Sequence, residues 1–527
     1  MTGSALSAGP ARPISASSRT EPPRRRALPP LEALVFVVGA STLGAEIAAA
    51  RLMAPFFGAS TIVWANTIAV VLVALSVGYW FGGRMADRRP DLRSLCGLVL
   101  GASLLLGLVP IVAQPFLSLS VKAFDDVSLG AGFGSLLGVL ALVAIPVLML
   151  GAVSPWAIRL KLERVEDSGE VAGRMYAIST VGSLLGTFLS ALALIPLFGT
   201  QRTFLVFALA LAVVAALGLS RRWALVPLGV AALLALPIGT VKAAEEGRVV
   251  DEAETEYQYA RVIERGDGER TLELNEGQAI HSLYRPGTVL TGGYWDGFLV
   301  APFAVLREPP RRVAILGFAG GTTARAYARY FPAARIDGVE IDRELFDIGR
   351  RWFGLRPRPQ LHEYAEDARP FLRRADARYD AIFIDAYRQP YIPFYLSTRE
   401  FFSLARDRLA PGGVVVVNVG HPEGSDRLEQ VLSATMARAF AHVARDPVEP
   451  TNTLLMASRR PIASAGLVRA ARALPADLRP LALRSAARLR PPLRGGAVYT
   501  DDRAPVEWLI DKSIVSYAAG DEAGGSR

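Results

Sequence analysis

The sequence has very few cysteines and histidines, and this scarcity excludes several kinds of site. Its 527 residues include a single cysteine, Cys96, so neither a disulfide framework nor a paired-cysteine zinc site can form within the chain. The four histidines show no HExxH pattern or paired spacing, which argues against a histidine-based metal centre. We therefore expect no bound metal.

Charged residues are also scarce. They make up 20% of the chain, whereas 51% of the residues are hydrophobic and the mean hydropathy is +0.30. This balance excludes a disordered chain and disfavours a fully soluble enzyme. The formal net charge of +9 indicates arginine-rich cytoplasmic loops of a membrane protein. Nucleic acid is not an expected partner, because no basic stripe is interleaved with aromatic residues.

The N-terminal half is predicted to be an all-α bundle of membrane-spanning helices. Residues 1–30 are rich in proline and arginine, which predicts a disordered basic tail. Apolar runs then dominate residues 31–240, and each approaches the ~20 residues that cross a bilayer. We predict seven spans, near residues 31–50, 61–83, 96–118, 131–157, 176–198, 203–219 and 223–240.

Arginine and lysine residues indicate how the bundle is oriented. They concentrate in the tail, in residues 84–93 and 159–174, and at Arg221 and Arg222. Seven spans with the N-terminus inside place all of these segments in the cytoplasm and everything after residue 240 outside. The chemistry inferred from the C-terminal half uses a cytosolic metabolite. We therefore expect a multi-pass inner-membrane protein with a cytoplasmic soluble domain, although the span count argues otherwise.

The C-terminal half has the pattern of a soluble α/β domain. Short β-like stretches between residues 250 and 310 predict a small β-rich subdomain, with a hairpin turn at GDGE, residues 266–269. Strands alternate with helices over residues 311–515, which predicts a parallel, doubly wound sheet.

Glycines mark the first turn of that sheet as a nucleotide site. Gly317, Gly320 and Gly321 lie between a strand and a helix, where a ligand approaches the backbone closely and helix N–H groups are free. Glu340 lies 23 residues after Gly317, at the tip of the second strand. A carboxylate in that position is placed to accept both hydroxyl hydrogens of a ribose.

Two further acids end the next two strands. Asp367 is placed to accept from an adenine amino group, and it is equally placed to cap the helix that begins at Ala368. Asp385 ends the fourth strand, at the edge where ligands of such sheets bind. We predict that Asp385 is a base or holds a cation, with helix capping or loop support as the alternative.

Taken together, these motifs resemble the spermidine synthases, the polyamine aminopropyltransferases, over roughly residues 250–510. The whole chain resembles the membrane-fused spermidine-synthase-like proteins. The resemblance implies a small β-rich part followed by a Rossmann-like, methyltransferase-type core. It rests on the segments ETEYQYARVIERGDGERTLELNEGQAIHSLYRP, LTGGYWDGF, GFAGGTT, GVEID, EDARPF, FIDAYRQPYIPFYLSTREFF and TDDRAPVEWL.

The resemblance also implies a reaction. An amine such as putrescine would attack the aminopropyl carbon of decarboxylated S-adenosylmethionine, and methylthioadenosine would leave. Glu340 would bind the ribose, Asp367 the adenine side, and Asp385 would help to deprotonate the amine. A carboxylate paired with a tyrosine can hold an ammonium group and accept its proton, so we add Tyr294 as the second catalytic residue.

Three more residues match positions at which members of the family bind their ligands. Gln278 matches a glutamine that we assign to the cofactor, and Tyr257 and Gln258 match a pair that we assign to the substrate. The expected partners are a small amine and the lipid bilayer, and a homodimer is left open.

The chain departs from the family at three places. Gly320 stands where the family has an aspartate that grips the amino group of the donor. Arg388 stands near the second acid of the family's DSxDP loop, and the family's YHE motif has become Tyr294-Trp295-Asp296. We predict Asp296 as a compensating substrate ligand, with Asp501 and Asp502 as alternatives.

These departures leave two other functions open. One is an S-adenosylmethionine-dependent methyltransferase acting on a membrane-associated substrate, because loss of the loop acid removes its repulsion with the methionine carboxylate. Arg388 is placed to bind that carboxylate. The other is a transporter or sensor that binds a polyamine without turnover.

Overall fold

The computed structural model describes residues 31–58, 61–124, 130–236, 241–244, 246–275, 279–387 and 392–510. The chain forms a helical bundle up to Ala235 and two β-sheets with associated helices after it. The basic tail predicted for residues 1–30 lies outside the described residues.

Six helices in the described part of the chain are long and apolar enough to cross a membrane. They are formed by α1 (Leu31–Phe57), α2 (Thr61–Arg88), α3 (Leu92–Phe124), α5 (Ala144–Gly151) continued by α6 (Val153–Lys161), α7 (Ser168–Leu189) continued by α8 (Ile195–Phe198), and α9 (Thr200–Leu217). The shorter apolar helix α4 (Gly130–Leu142) precedes α5. The segment predicted as a seventh span contains α10 (Leu225–Ala235), whose 11 residues are too few to cross a bilayer as a helix.

Small residues let α1 and α7 pack closely side by side. A Cβ added at Gly186 would lie 2.0 Å from the Ala40 carbonyl oxygen, so a larger residue there would push the helices apart. The Ser190 hydroxyl donates to the Gly44 carbonyl at 2.9 Å, and the Ser183 hydroxyl donates to the Gly39 carbonyl at 3.2 Å. Because both contact positions advance together along the chain, the two helices run parallel.

The basic loops meet at one end of the bundle, which we call the basic end. Glu32, at the start of α1, lies 3.2 Å from the Lys161 ammonium and 3.4 Å from the Arg174 guanidinium. Asp87, at the end of α2, lies 3.4 Å from the Arg159 guanidinium. The segments that the sequence analysis placed on one side are therefore adjacent in space.

The soluble part of the chain packs against the opposite end, which we call the junction end. The Arg51 guanidinium, near the end of α1, donates to the Thr255 carbonyl at 2.8 Å. The Thr200 amide, at the start of α9, donates to the Glu254 carboxylate at 2.8 Å. The soluble domain and the basic loops thus lie at opposite ends of the helical bundle.

The chain therefore returns through the length of the bundle after α9. Gly218, just past the end of α9, packs against Cys96 near the start of α3, at the basic end. The Lys242 ammonium lies 5.9 Å from the ring centroid of Phe56, at the junction end. The helix α10 lies in the chain between these two points.

The β-rich subdomain is a four-stranded antiparallel sheet in chain order. The Gly268 amide donates to the Arg265 carbonyl at 2.9 Å, which closes the hairpin turn predicted at GDGE. Its strands are β1 (Arg248–Glu254), β2 (Tyr259–Glu264), β3 (Arg270–Leu274) and β4 (Ile280–Tyr284).

The larger domain is built on a seven-stranded sheet in the order β10-β11-β9-β8-β5-β6-β7. Its strands are β5 (Arg312–Leu316), β6 (Arg335–Glu340), β7 (Leu361–Ala365), β8 (Tyr379–Ile384), β9 (Leu409–Gly420), β10 (His442–Glu449) and β11 (Asn452–Ser458). Helices between and after the strands are α11 (Gly297–Val300), α12 (Thr322–Tyr330), α13 (Arg343–Trp352), α14 (Ala368–Arg374), α15 (Arg399–Asp407), α16 (Arg427–Met436), α17 (Ser464–Ala473) and α18 (Arg479–Arg488).

The predicted parallel sheet is confirmed for β5 to β9, and one edge differs from it. Strands β10 and β11 form a hairpin that pairs antiparallel with β9. Only two residues separate β10 from β11, and these are too few for the crossover connection that a parallel pair requires. At the centre, β5 lies between β6 and β8, so the chain changes direction there and leaves a crevice beyond the carboxyl ends of the strands.

Candidate active site

Four of the residues singled out in the sequence lie together at the carboxyl edge of the sheet. Gly317 follows β5, Glu340 ends β6, Asp367 follows β7 and Asp385 follows β8. They line one cavity of about 330 Å³, which we call the Glu340 cavity. Because parallel strands end at the same edge of the sheet, the order of strands in the sequence was sufficient to predict that these side chains lie close together.

The glycine loop is fixed by contacts within the protein. Gly317 has φ +86°, and a Cβ there would lie 2.3 Å from the Asp385 carbonyl oxygen, so only glycine fits. The Ala319 amide donates to Glu340 Oε2 at 2.9 Å, and the Gly320 amide donates to the Ser282 hydroxyl at 2.8 Å. These two loop amides, which precede α12, are therefore engaged within the protein.

Glu340 is deeply buried, with 8% of its surface exposed. Burial raises the pKa of its carboxyl group to about 7, and the hydrogen bonds from the Ala319 and Asp342 amides only partly oppose this rise. A ligand that donates hydroxyl hydrogens to this carboxylate would favour the charged form and lower its pKa. Binding of such a ligand would therefore release a proton near neutral pH.

Asp367 has both of its oxygens engaged. Oδ1 caps α14 by accepting from the Arg369 amide at 2.8 Å, as one of the two sequence interpretations expected. Oδ2 accepts from the Tyr395 hydroxyl at 2.5 Å. Tyr395 and its neighbour Phe394 also line the Glu340 cavity, and sequence reasoning did not select either of them.

Asp385 and Tyr294 are brought together as the sequence analysis expected. The Tyr294 hydroxyl donates to Asp385 Oδ2 at 3.1 Å, and the Asn418 amide donates to Asp385 Oδ1 at 2.8 Å. Burial raises the pKa of Asp385 to about 6 despite these two hydrogen bonds. Burial and the nearby Asp385 charge raise the pKa of Tyr294 well above its usual value, so the tyrosine stays a proton donor to the carboxylate.

Asn418 belongs to a polar chain that the sequence analysis missed. The Asn452 amide donates to Asn418 Oδ1 at 2.9 Å, and the Tyr387 hydroxyl donates to the Asn418 carbonyl at 2.9 Å. Because Asn452 occupies Oδ1, the Asn418 NH₂ group is directed at Asp385. The signal in the sequence was a single asparagine interrupting the valine run VVVVNV of β9.

A second cavity of about 680 Å³ adjoins the Glu340 cavity, and we call it the Asn418 cavity. Asp385 lines both cavities. The lining residues of the Asn418 cavity include Tyr294, Asn418, Asn452 and Glu449, and burial raises the pKa of the Glu449 carboxyl group. The carboxylate–tyrosine pair thus stands where molecules in two adjoining cavities would meet.

Tyr257 and Gln258 line the Glu340 cavity and not the Asn418 cavity. The Gln258 amide donates to Asp342 Oδ2 at 3.1 Å, and the Thr255 hydroxyl donates to the same oxygen at 2.7 Å. Tyr257 keeps 37% of its surface exposed. Both residues therefore lie on the Glu340 side of Asp385.

Asp296 does not occupy the place expected of a substrate ligand. It is 3% exposed and lines neither cavity. One carboxylate oxygen accepts from the Thr291 amide at 2.9 Å and the other from the Gly292 amide at 2.8 Å, so Asp296 holds its own loop. The alternative Asp501 is tied to Arg369 at 2.8 Å, and exposed Asp502 also lies outside both cavities. Gln278 and Arg388 fall outside the described residues.

The fold and these cavities define a Rossmann-like domain with a carboxylate–tyrosine pair between two adjoining pockets. Residues 299–456 match the family model of the spermine/spermidine synthase domain. The resemblance drawn from the sequence motifs is thereby confirmed.

Curated relatives carry related names. The chain is 32% identical over 303 residues to a probable polyamine aminopropyl transferase of Bifidobacterium longum, covering 54% of this chain and 66% of the relative. It is 31% identical over 180 residues to a polyamine aminopropyltransferase of Vibrio vulnificus, covering 33% and 59%. The chain thus spans under two thirds of these relatives' lengths. A crystal structure of a probable spermidine synthase from Corynebacterium glutamicum overlays with a TM-score of 0.37 at 22% identity, covering 48% of this chain and 98% of that one.

Proposed function

We propose that the protein is a membrane-tethered aminopropyltransferase. Decarboxylated S-adenosylmethionine binds in the Glu340 cavity, and a primary amine such as putrescine binds in the Asn418 cavity. The amine nitrogen forms a bond to the aminopropyl carbon next to sulfur. The carbon–sulfur bond breaks with its electron pair going to sulfur, so methylthioadenosine leaves. The observation that carries this proposal is that Asp385 lines both cavities and is paired with Tyr294.

Asp385 supplies the proton acceptor for this step. An alkylamine is protonated at neutral pH, because its pKa lies near the ~10.4 of lysine, and an ammonium ion has no free electron pair. The Asp385 carboxylate holds the ammonium group and takes its proton as the new bond forms. Its pKa of about 6 leaves it mostly ionised at neutral pH yet a stronger base than an ordinary aspartate.

The residues of the Glu340 cavity bind and orient the donor and take no part in proton transfer. Glu340 accepts the ribose hydroxyls, and Asp367 accepts from the adenine side. Fixing the donor and the amine in one orientation contributes several kcal/mol to such bimolecular reactions. Mixing purified protein with each donor and putrescine tests the proposal, because methylthioadenosine is expected from the decarboxylated donor and no S-adenosylhomocysteine from the intact one.

One observation favours the second candidate, an S-adenosylmethionine-dependent methyltransferase. A Cβ at Gly320 would lie 3.0 Å from the Ser282 hydroxyl and 3.2 Å from the Phe353 ring, so the family's loop aspartate would be tightly packed there. Without that acid the loop does not repel a donor carboxylate. S-adenosylhomocysteine formation in the same assay would establish this candidate, whereas lack of product from either donor would leave a non-catalytic polyamine binder.

We propose further that the soluble domain faces away from the cytoplasm. The basic end gathers eight arginines and lysines in residues 84–93 and 159–174, whereas the spanning helices carry only Arg51, Lys122 and Arg202 near the junction end. Such asymmetry marks the basic end as cytoplasmic. The opposite expectation rested on a cytosolic donor. In the orientation proposed, the donor has to reach the domain across the membrane of this multi-pass inner-membrane protein.

A further inference from the structure

The soluble domain carries exposed apolar side chains around the opening of the Glu340 cavity. Tyr257, Ile341 and Phe394 line that cavity, yet each keeps between 36% and 48% of its surface exposed. A side chain that lines a cavity and is also exposed lies at the opening of the cavity. Trp508 follows the cavity residue Glu507 and is 63% exposed. We call Tyr257, Ile341, Phe394 and Trp508 the apolar rim.

The apolar rim lies on the face of the soluble domain that is turned toward the helical bundle. Leu192 and Phe198 of the bundle line one groove together with Tyr257 and Ile341 of the rim. Leu192 and Phe198 belong to a spanning helix and are themselves exposed, as expected for side chains that face lipid. The rim therefore continues the lipid-facing surface of the bundle onto the soluble domain.

Two helices indicate the depth at which the soluble domain meets the bundle. Arg51, which donates to the Thr255 carbonyl, follows Glu32 of the basic end by 19 residues, and 19 residues of helix measure about 29 Å. Helix α9 begins at Thr200, which contacts β1, and its 18 residues measure about 27 Å. Both lengths are close to the ~30 Å of the hydrocarbon core. Because the charges of the basic end belong in one headgroup region, the contacts with the soluble domain lie in the other.

We propose that the apolar rim lies against the headgroup region of the bilayer that holds the bundle, so that the Glu340 cavity opens at the membrane surface. Tyr257 is only two residues from Thr255, which meets the bundle at this depth. Tryptophan and tyrosine are enriched at this level of membrane proteins, because their rings contact acyl chains while their polar groups reach water. Lipid is the partner that fits, since the rim is continuous with a surface that already faces lipid.

This position affects how ligands reach the Glu340 cavity. A molecule that enters the cavity passes between the rim and the lipid headgroups. An amphipathic molecule that partitions into the bilayer is therefore concentrated at the opening, whereas a strongly hydrophilic one is not. The contact between rim and bilayer holds whether or not aminopropyl transfer takes place.

Fluorescence quenching of the full chain in phosphatidylcholine nanodiscs tests the position of the rim. Trp508→Cys is labelled with an environment-sensitive dye, and wild-type protein gives the background, because its Cys96 is fully buried. The emission of the dye at position 508 should be shifted to the blue of its emission in water. Lipids that carry a nitroxide at the headgroup end of the acyl chain should quench it, and lipids with a nitroxide deep in the chain should quench it less.

Leu483→Cys is the matched control, because Leu483 is an exposed apolar residue of α18 that lines neither active-site cavity. Helix α18 begins just after Asp477, which lines a cavity with Ile336 at the amino end of β6, opposite the edge that bears the rim. Its dye should emit as in water and be quenched little by either lipid. Phe394→Cys is a second rim probe, used if Trp508→Cys does not fold, and it should behave as expected for Trp508→Cys.

The proposal is overturned if headgroup-level nitroxides quench the rim probe and the Leu483 probe equally, or if they quench neither. A blue-shifted rim probe that no lipid nitroxide quenches would assign the rim to a protein partner, such as a second copy of the chain, and would also overturn it. Quenching requires no turnover. A protein that forms no methylthioadenosine but shows rim quenching would therefore remove the proposed enzyme and leave this surface standing, and full turnover without rim quenching would do the reverse.

Discussion

Asp385 is held by donors on both of its oxygens, and the role of its charge can be separated from its role in the fold. Asp385→Asn keeps the size of the side chain and removes the negative charge. Turnover should fall about 10²- to 10⁴-fold, the usual contribution of a general base, while affinity for methylthioadenosine stays close to wild type. Asp477→Asn is the comparison, because exposed Asp477 lines neither cavity. An Asp385→Asn enzyme with a normal rate would reduce Asp385 to a loop support.

Asn418 acts through Asp385, so its removal should appear in the pH profile. Burial raises the pKa of Asp385 and the hydrogen bond from Asn418 lowers it, and together with the Tyr294 hydrogen bond they leave a pKa of about 6. The base works only when ionised, so the rate should rise as pH increases through about 6. Asn418→Ala removes the donor and should move this acid limb to higher pH, with a smaller loss of rate on the alkaline plateau. A purely structural role would lower the rate at every pH without moving the limb.

Glu340 should make nucleoside binding depend on pH. Its pKa of about 7 means that half of the free protein carries a protonated Glu340 near neutrality. If ribose hydroxyls donate to the ionised form, affinity for methylthioadenosine should rise as the pH increases through about 7 and level off roughly one pH unit higher. Glu340→Gln should weaken binding by about 1.5–3 kcal/mol on that plateau and abolish the pH dependence. Calorimetry that gives equal affinity for both proteins would remove Glu340 from the site.

At the scale of elements, the sequence predicted the positions of those site residues that directly follow a strand. Glu340, Asp367 and Asp385 each follow a recognisable strand, and parallel strands bring their ends together. The partners of these residues depend on tertiary contacts instead. Gln258 bonds to Asp342, which is 84 residues away, and Asn418 is directed by Asn452 on a different strand. Nothing in the local pattern distinguishes Asp296, which supports a loop, from an acid that faces a ligand.

The soluble part should fold without the helical bundle. Its two sheets are complete between Arg248 and Ser458, and α17 and α18 follow in the same part of the chain. A fragment of residues 246–515 loses the contacts of Arg51 and Thr200 with the Thr255 carbonyl and with Glu254 at the end of β1, but it keeps every strand pairing of both sheets. We expect it to be soluble and to melt cooperatively by circular dichroism. Aggregation under all conditions would show that the junction surface requires the bundle.

At the scale of the whole molecule, the number of long apolar helices and the contacts at the two ends of the bundle imply different positions for the soluble domain. Six helices in the described residues are long enough to cross a bilayer, and an even number would place the soluble domain on the side of the basic loops. The contacts show otherwise, since Glu32 meets Lys161 at one end and Arg51 meets Thr255 at the other. The chain passes from Gly218 at the basic end to Lys242 at the junction end, and the six long helices do not include this return.

Cysteine labelling decides on which side of the membrane the soluble domain lies. Cys96 is fully buried, so the wild-type chain should react little with a membrane-impermeant maleimide. Ala476→Cys places a thiol on the exposed surface of the soluble domain, and Glu163→Cys places one on an exposed loop at the basic end without removing a positive charge. In spheroplasts the Ala476→Cys protein should be labelled directly, because its domain faces outward. The Glu163→Cys protein should be labelled only after the membrane is permeabilised. The reverse pattern would place the soluble domain in the cytoplasm, with direct access to a cytosolic donor, and would show that the arginines of this bundle do not follow the usual bias toward the inner side.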